Sequence, residues 1–203
     1  MGGRAVDRTV TGLLQWGCMR MWGFAPRMIP HIVERKGAGG ALRWFAANMP
    51  RYLTTMNVLG PARTHLAAVV VSLHNGCIYC AFGNAYALEL VYLRDHDKLF
   101  PLDARTLDGW LDLEPRELAD RMRDVLHAAG MHAEMLWVDR TLGILRGQQP
   151  VDAAEARLAH VVAMVSEMNS IATTAGVEPD EAQNPVNKDG ALKCRHAALR
   201  AGV

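Results

Sequence analysis

Helical periodicity, punctuated by proline and glycine, is the feature that most constrains this fold. Apolar residues recur at three- and four-residue spacing through most of the 203-residue chain, which is the pattern of helices with one buried face. The β-branched cluster at 69–72 lies inside a longer apolar segment, so it gives only a weak strand signal. The sequence therefore predicts an all-α protein of roughly eight helices.

Individual residues mark the helix ends. Pro61 suits the first turn of a helix that ends before Asn75, and a new helix then follows with Asn75 as its expected N-cap. Pro115 and Gly130 bracket another helix in the usual order, proline inside the start and glycine past the end. Pro50 predicts an interruption of the helix that precedes these segments.

Composition bounds the class of protein. The length fits a single domain spanning residues 1–203. The net charge of +1 offers no clustered basic surface, so we expect no nucleic-acid partner. No apolar run approaches the roughly 18 residues of a membrane span, and no cleavable leader is recognisable, so we expect a cytoplasmic protein with reduced cysteines.

The chemistry of the chain concentrates in the segment VVVSLHNGCIYCAFGN. Cys77 and Cys80 stand three positions apart, which places them on one face of a helix. If both lie in its first turn, backbone N–H groups and the helix dipole favour a thiolate, and thiol pKa values at such positions fall below their usual value of about 8.5.

Three interpretations of this segment compete. The first is a redox dithiol. The second is a zinc site that adds His74 to the two thiols, with His65 or the tail residues Cys194 and His196 as the fourth ligand. The third is a pair of inert buried thiols.

The segment resembles the signature helix pair of the carboxymuconolactone decarboxylase superfamily, in its alkylhydroperoxidase D-like branch. The shared features are an apolar helix ending in Val-Ser, then Asn75, Cys77-x-Tyr79-Cys80 and a helix rich in Ala and Leu. The match covers about 51–96. It implies a helical bundle of that type, extended here by additional helices and a tail at 103–203.

The resemblance also implies an activity. Family members of this branch are oligomers that reduce hydroperoxides with the dithiol, without a metal or another cofactor. The resulting disulfide is reduced again by a thiol donor of the dihydrolipoamide type, which can be carried on a lipoylated protein. By this resemblance Cys80 attacks the substrate and Cys77 resolves the intermediate. From the physics of the helix start alone, Cys77 is the more acidic thiol.

Two positions depart from the family pattern. The family has a glutamate twelve residues before the first cysteine and a histidine four residues after the second, where this chain has His65 and Asn84. An asparagine donates hydrogen bonds but accepts no proton at neutral pH, whereas His65 titrates near neutrality. A rebuilt set would use His65 as base or charge partner and Asn84 as an orienting donor.

The leading hypothesis is therefore a Cys-x-x-Cys-dependent thiol-disulfide oxidoreductase or hydroperoxide reductase. Its partners would be a hydroperoxide or small disulfide, a thiol reductant and further copies of the chain, because Met and Trp concentrate in the N-terminal third. The alternatives are a catalytically degenerate family member that serves as a binding or scaffold protein, and a zinc-stabilised helical module.

Overall fold

Two helices joined by a tight turn form the centre of the fold. The computed structural model describes residues 2–202, and within them the chain forms α-helices and short 3₁₀ segments but no strand. The prediction of an all-α protein is confirmed. The α-helices are α1 (Gly2–Trp22), α2 (Ile29–Leu59), α3 (Pro61–His74), α4 (Ile78–His96), α5 (Pro115–Ala128), α6 (Met135–Leu145), α7 (Ala153–Ala175) and α8 (Gly190–Ala201).

The central pair, α3 and α4, is buried on nearly all sides. Every residue from Thr64 to Leu73 is buried, and so is most of α4. A helix that is apolar all round needs neighbours all round. On one side lie α5, α6 and the 3₁₀ segment Ala104–Trp110, and on the other side lie α1, α2 and α7.

The second helix is kinked at a glycine rather than at its proline. The predicted interruption at Pro50 is wrong, because α2 runs through Pro50 with helical geometry. Proline tolerates a helical φ, and the loss of one N–H does not end a helix whose flanks are packed. The kink lies at Gly37, with φ of 67°, and the Asp7 carboxylate accepts a hydrogen bond from the Ala38 N–H just after it.

The C-terminal segment wraps back over the central pair. After α7, residues 177–189 pass across α4 and continue into α8. Glu89, buried in α4, holds this segment in place. One of its oxygens lies 2.7 Å from His196 Nε2 and 2.6 Å from an Arg200 nitrogen, and the other accepts from the Ala104 N–H at 2.7 Å.

Among residues 2–202, no helix combines the length and the apolar character that a membrane crossing requires.

Candidate functional site

The turn between α3 and α4 fixes the first cysteine. The Cys77 N–H donates to Ser72 O at 2.8 Å, and the Gly76 N–H donates to Leu73 O at 3.1 Å. These two bonds form a Schellman motif with Gly76 in the left-handed conformation, φ 66°. The motif leaves Cys77 extended, with φ −105° and ψ 94°, as the N-cap of α4.

The expected capping role of Asn75 is therefore wrong. Asn75 ends α3 as its C-cap, and its side-chain amide donates to Ser166 Oγ and Asn169 Oδ1 on α7. Because Asn75 belongs to the Schellman motif that ends α3, the N-cap of α4 falls two residues later, at Cys77. Both thiols nevertheless lie in the first turn of α4, as the sequence indicated.

The Cys77 sulfur is held as a thiolate. Hydrogen bonds lower the pKa of Cys77 to about 6: the Cys80 thiol contributes most, and the Cys80 backbone N–H, Asn169 and Thr173 add to it against the opposing effect of burial. A sulfur at a helix N-terminus gains the same direction of shift from the aligned peptide dipoles. At neutral pH Cys77 therefore carries the charge of the pair.

Cys80 keeps the proton of the pair. Its hydrogen bond to Cys77, its burial and the negative charge of Cys77 all raise the pKa of Cys80 above its ordinary value. The opposite directions of the two pKa shifts have one cause, because a single proton on Cys80 serves the hydrogen bond to Cys77. Both cysteines are free thiols in this structure.

The two sulfurs line different spaces. Cys80 borders a narrow cavity between α1, α2, α4 and α7, with a volume of about 30 Å³. Cys77 borders an outer groove between the start of α4 and the end of α7, with about 260 Å³ open to water. Tyr79 lines both spaces.

The narrow cavity is apolar with a few polar groups. Aromatic and apolar side chains form most of its wall, namely Trp22, Met28, Ile32, Trp44, Met49, Tyr52, Met164 and Met168. Asn84 and Gln183 are the polar residues beside Cys80. The buried indole N–H of Trp22 has no hydrogen-bond partner within residues 2–202. An apolar slot with a few convergent polar groups is typical of small-molecule sites.

His65 and Asn84 come together as expected, but in a different electrostatic state from the one expected. His65 Nδ1 donates to Asn84 Oδ1 at 2.9 Å, and His65 Nε2 accepts from the Asn184 amide at 2.7 Å. Burial lowers the pKa of His65 to about 4, against a smaller raising effect of the Asn84 bond. His65 is therefore neutral at pH 7 with both ring nitrogens occupied.

Asn84 does not direct its amide to a sulfur. Its two donors point to Cys80 O at 2.9 Å and to Gln183 Oε1 at 3.4 Å. The side chain thus fixes the first turn of α4 and joins it to the 177–189 segment. The suggested roles, base for His65 and thiolate donor for Asn84, find no matching contact here; the geometry gives both a positioning role.

Sequence reasoning missed the residues that the C-terminal segment brings to the site. Gln183 and Asn184 bond to Asn84 and His65, and Asp180 accepts hydrogen bonds from Tyr79 Oη at 3.1 Å and from the Arg27 N–H at 3.0 Å. Their segment reads as an ordinary polar loop. The one available signal is its density of side-chain amides, three of them within 183–187.

Asn169 is the other missed residue. It lies on α7, is 1% exposed, and donates to Ser72 Oγ at 3.1 Å. Its amide also favours the thiolate form of both Cys77 and Cys80. Nothing local marks it, because a single asparagine in a helix with polar positions is unremarkable in a sequence.

The side chains proposed as zinc ligands lie in other environments. His65 is bonded to Asn84 and Asn184, His196 is bonded to Glu89, and Cys194 is exposed on α8. Within residues 2–202, no group of three His, Cys, Asp or Glu side chains is placed to hold a metal ion. Cys18 is buried in α1, and burial raises its pKa to about 11.

Comparison with protein-family models finds no match, and comparisons with curated proteins and with solved structures find none either. The resemblance of the Cys77–Cys80 segment to the alkylhydroperoxidase D-like branch therefore stays a prediction. The function has to be argued from the geometry of the site itself.

Proposed function

We propose that this protein is a dithiol oxidoreductase that reduces hydroperoxides through Cys77 and Cys80, on a fold of the alkylhydroperoxidase D-like type. The observation that carries the proposal is the placement of the two sulfurs: Cys77 is the extended N-cap of α4, and Cys80 lies one turn inside and borders an apolar cavity. The interaction between the two side chains lowers the pKa of Cys77 and raises that of Cys80. An inert pair of buried thiols would have no such asymmetry, because burial alone raises both pKa values.

The dithiol also takes over the proton transfers that the family assigns to a glutamate and a histidine, whose positions are occupied here by His65 and Asn84. As the Cys80 sulfur attacks the terminal oxygen of the hydroperoxide, its proton passes to the Cys77 thiolate. The O–O bond breaks, Cys80 becomes a sulfenic acid, and the departing alkoxide takes the proton from Cys77. The dithiol itself therefore performs the acid and base steps, and neither His65 nor Asn84 has to exchange a proton.

The second step closes the disulfide. The Cys77 thiolate, now free of its proton, attacks the Cys80 sulfur and expels hydroxide, which solvent protonates to water. The two thiols lose two electrons in total and the hydroperoxide becomes an alcohol and water. Spacing within one helical turn brings the sulfurs together without rearrangement of α3 or α4.

The cavity supplies a donor for the substrate. The Trp22 side chain lines the space that Cys80 borders, and its buried indole N–H has no partner within residues 2–202. An unsatisfied buried donor gains a hydrogen bond when a ligand oxygen reaches it. We therefore assign Trp22 to the hydroperoxide oxygen. Trp22→Phe should lower kcat/KM about tenfold, the equivalent of one hydrogen bond of about 1.4 kcal/mol, while an aromatic ring stays in the cavity wall.

The partners follow from the same chemistry. The electrons come from a thiol reductant, with a dihydrolipoamide-type dithiol or a lipoylated protein as the expected donor. A protein that works through reduced thiols suits a reducing compartment, so we place it in the cytoplasm. A self-associating oligomer is part of the proposal, since α1 exposes apolar side chains at Val6, Leu13, Trp16 and Met19.

A degenerate, non-catalytic binding protein is the second candidate. The observation that favours it is the His65 network, in which a titratable group stands where the family has one but is neutral and fully bonded. This candidate predicts that the two thiols persist under peroxide.

Sulfenic-acid trapping separates the two candidates. Wild-type protein treated with hydrogen peroxide should lose the mass of two hydrogen atoms at the Cys77–Cys80 peptide. Cys77→Ser should form a dimedone adduct on Cys80 only slowly, because the thiolate that takes the Cys80 proton is gone, whereas Cys80→Ser should form none at position 77. Thiols that stay free in the wild type would refute the proposed peroxidase activity. An adduct only at Cys77 would make Cys77 the attacking cysteine and Cys80 the resolving one.

A further inference from the structure

The two sulfurs of the dithiol border two separate spaces. Cys80 borders the narrow cavity and Cys77 borders the outer groove, and the side chain between them is Tyr79. We propose that the thiol donor reaches Cys77 through the outer groove and never enters the cavity that receives the hydroperoxide. The inference rests on the proposed dithiol function and assigns the donor a binding site of its own.

Tyr79 forms a fixed partition between the two spaces. The ring is 1% exposed, and its hydroxyl donates to Asp180 Oδ2 at 3.1 Å. Asp180 is in turn held by the N–H groups of Arg27 at 3.0 Å and Glu181 at 2.8 Å. A buried aromatic ring held at its polar end in this way does not swing aside to join the spaces.

The two spaces suit different ligands. The cavity leaves about 30 Å³ open to water, which is room for one or two water-sized groups. The groove leaves about 260 Å³ and is open to solvent. A dithiol donor carried on a larger molecule would fit the groove and would not fit the cavity.

Two glycines leave the groove open beside the Cys77 sulfur, which suits an unbranched ligand. Gly76 ends α3 and Gly176 ends α7, with φ of 66° and 61°, and a Cβ built on either meets no atom within 4 Å. Bare backbone thus flanks the approach to the Cys77 sulfur. The expected ligand is an unbranched alkyl thiol or dithiol, because a branched group near the sulfur would meet Ile78 or Pro179 on the walls.

The transfer balances with a dithiol donor. A donor thiolate attacks the Cys77 sulfur, the Cys77–Cys80 bond breaks, and Cys80 takes the electron pair and the proton of the second donor thiol. Asn169, whose amide reaches both sulfurs, stabilises the departing Cys80 thiolate. The second donor thiol then attacks its own mixed disulfide and releases Cys77, whose low pKa makes it a good leaving group. The donor is oxidised by two electrons.

Blocking each entrance separately tests the inference. Glu178 is on the groove wall, with its side chain 84% exposed and ion-paired only at the surface with Arg27. Glu178→Trp adds an indole to the groove. Met49 is on the cavity wall and partly buried, so Met49→Trp fills the cavity. Glu34→Trp, at a side chain 82% exposed on α2, controls for an added surface tryptophan.

Each half-reaction is measured alone in a rapid-mixing experiment. Reduced protein is mixed with hydrogen peroxide, and protein oxidised chemically with diamide is mixed with dihydrolipoamide, with remaining thiols counted by maleimide tagging. Glu178→Trp should slow re-reduction about tenfold, an added barrier of about 1.4 kcal/mol, and leave oxidation unchanged. Met49→Trp should slow oxidation and leave re-reduction unchanged, and Glu34→Trp should change neither.

The outcomes separate the inference from the proposed function. Two variants that slow both half-reactions together would mean one shared entrance and would overturn the inference. Re-reduction that slows in Met49→Trp but not in Glu178→Trp would place the donor in the cavity and also overturn it. If hydroperoxide forms no disulfide but diamide does, the peroxidase fails while the diamide-oxidised protein still tests the donor's route. If diamide forms no Cys77–Cys80 disulfide, both ideas fail.

Discussion

The chemistry of this site depends on where one proton lies. Cys77 and Cys80 differ by three positions in sequence, yet one is a thiolate at the helix cap and the other a thiol one turn inside. The asymmetry comes first from the hydrogen bond between the two side chains, and the Schellman turn adds to it by leaving Cys77 extended at the N-terminus of α4. Asn169 on α7 adds a donor from a helix far along the chain.

The contribution of Asn169 is measurable. Asn169→Ala removes one hydrogen bond to a charged sulfur, a loss of about 1 to 1.5 kcal/mol, so the reaction of Cys77 with methyl methanethiosulfonate at pH 6 should slow about fivefold. Ser170→Ala, the exposed neighbour on the same helix, is the control. An unchanged rate in Asn169→Ala would remove this residue from the site.

We expect His65 to affect the pH dependence of folding stability rather than the activity. Its pKa is about 4 when folded and about 6.5 when unfolded, so the unfolded chain binds the extra proton between these values. Folding stability should therefore fall as the pH drops from 6.5 to 4, with about 3 kcal/mol lost to this group. Above pH 6.5 its contribution is fully present.

Urea unfolding at a series of pH values tests this. The free energy of unfolding of His65→Gln should depend less steeply on pH between 6.5 and 4.5 than that of the wild type. Two parallel curves would show that His65 is not held neutral by the fold.

At the scale of elements, the sequence predicted what is local and missed what is distant. Pro61, Pro115 and Gly130 mark helix ends correctly, because capping and turn chemistry act within a few residues. The same reasoning misplaced the cap of α4, since Asn75 and Gly76 serve the helix before them. The contacts of Asp180, Gln183 and Asn184 bridge about a hundred residues, and no local pattern encodes such a distance.

The contacts of His196 and Arg200 with Glu89 hold α8 and the segment before it against α4. Glu89→Ala leaves His196 and Arg200 without their buried acceptor, and breaking such a buried set costs about 3 to 5 kcal/mol. Glu117→Ala breaks an exposed ion pair with Arg121 on α5 and should cost less than about 1 kcal/mol. Urea unfolding of the two variants gives the comparison. Similar losses in the free energy of unfolding would show that the contacts of Glu89 stabilise the fold no more than a surface ion pair does.

At the scale of the whole molecule, the fold keeps three regions apart: a cavity, a groove and an exposed apolar helix face. The cavity lies inside, the groove opens beside it, and α1 presents apolar side chains on the outside. Leu13, at 53% exposed, and Trp16, at 61%, stand one turn apart on one face of that helix. Exposed large apolar groups that cluster in this way mark contact surfaces, and a second copy of the chain is the partner we propose.

Self-association follows if that surface is used. Trp16→Glu should shift the molecular mass measured by light scattering towards that of one 22.3 kDa chain. Leu136→Glu, at a side chain equally exposed but on α6, should leave the mass unchanged. A wild-type protein that is already a monomer would contradict the proposed oligomer and leave the chemistry of the dithiol unaffected.

The central claim is that Cys77 rests as a thiolate held by Cys80, and a thiolate titration by absorbance near 240 nm tests it most directly. The wild type should show a transition with a midpoint near pH 6. Cys77→Ala should abolish that transition, and Cys80→Ala should move it upwards because the largest hydrogen bond to the sulfur is lost. The absence of a wild-type transition near pH 6, with Cys77 titrating near 8.5 as an ordinary thiol does, or a transition near pH 6 that survives in Cys77→Ala, would contradict the account.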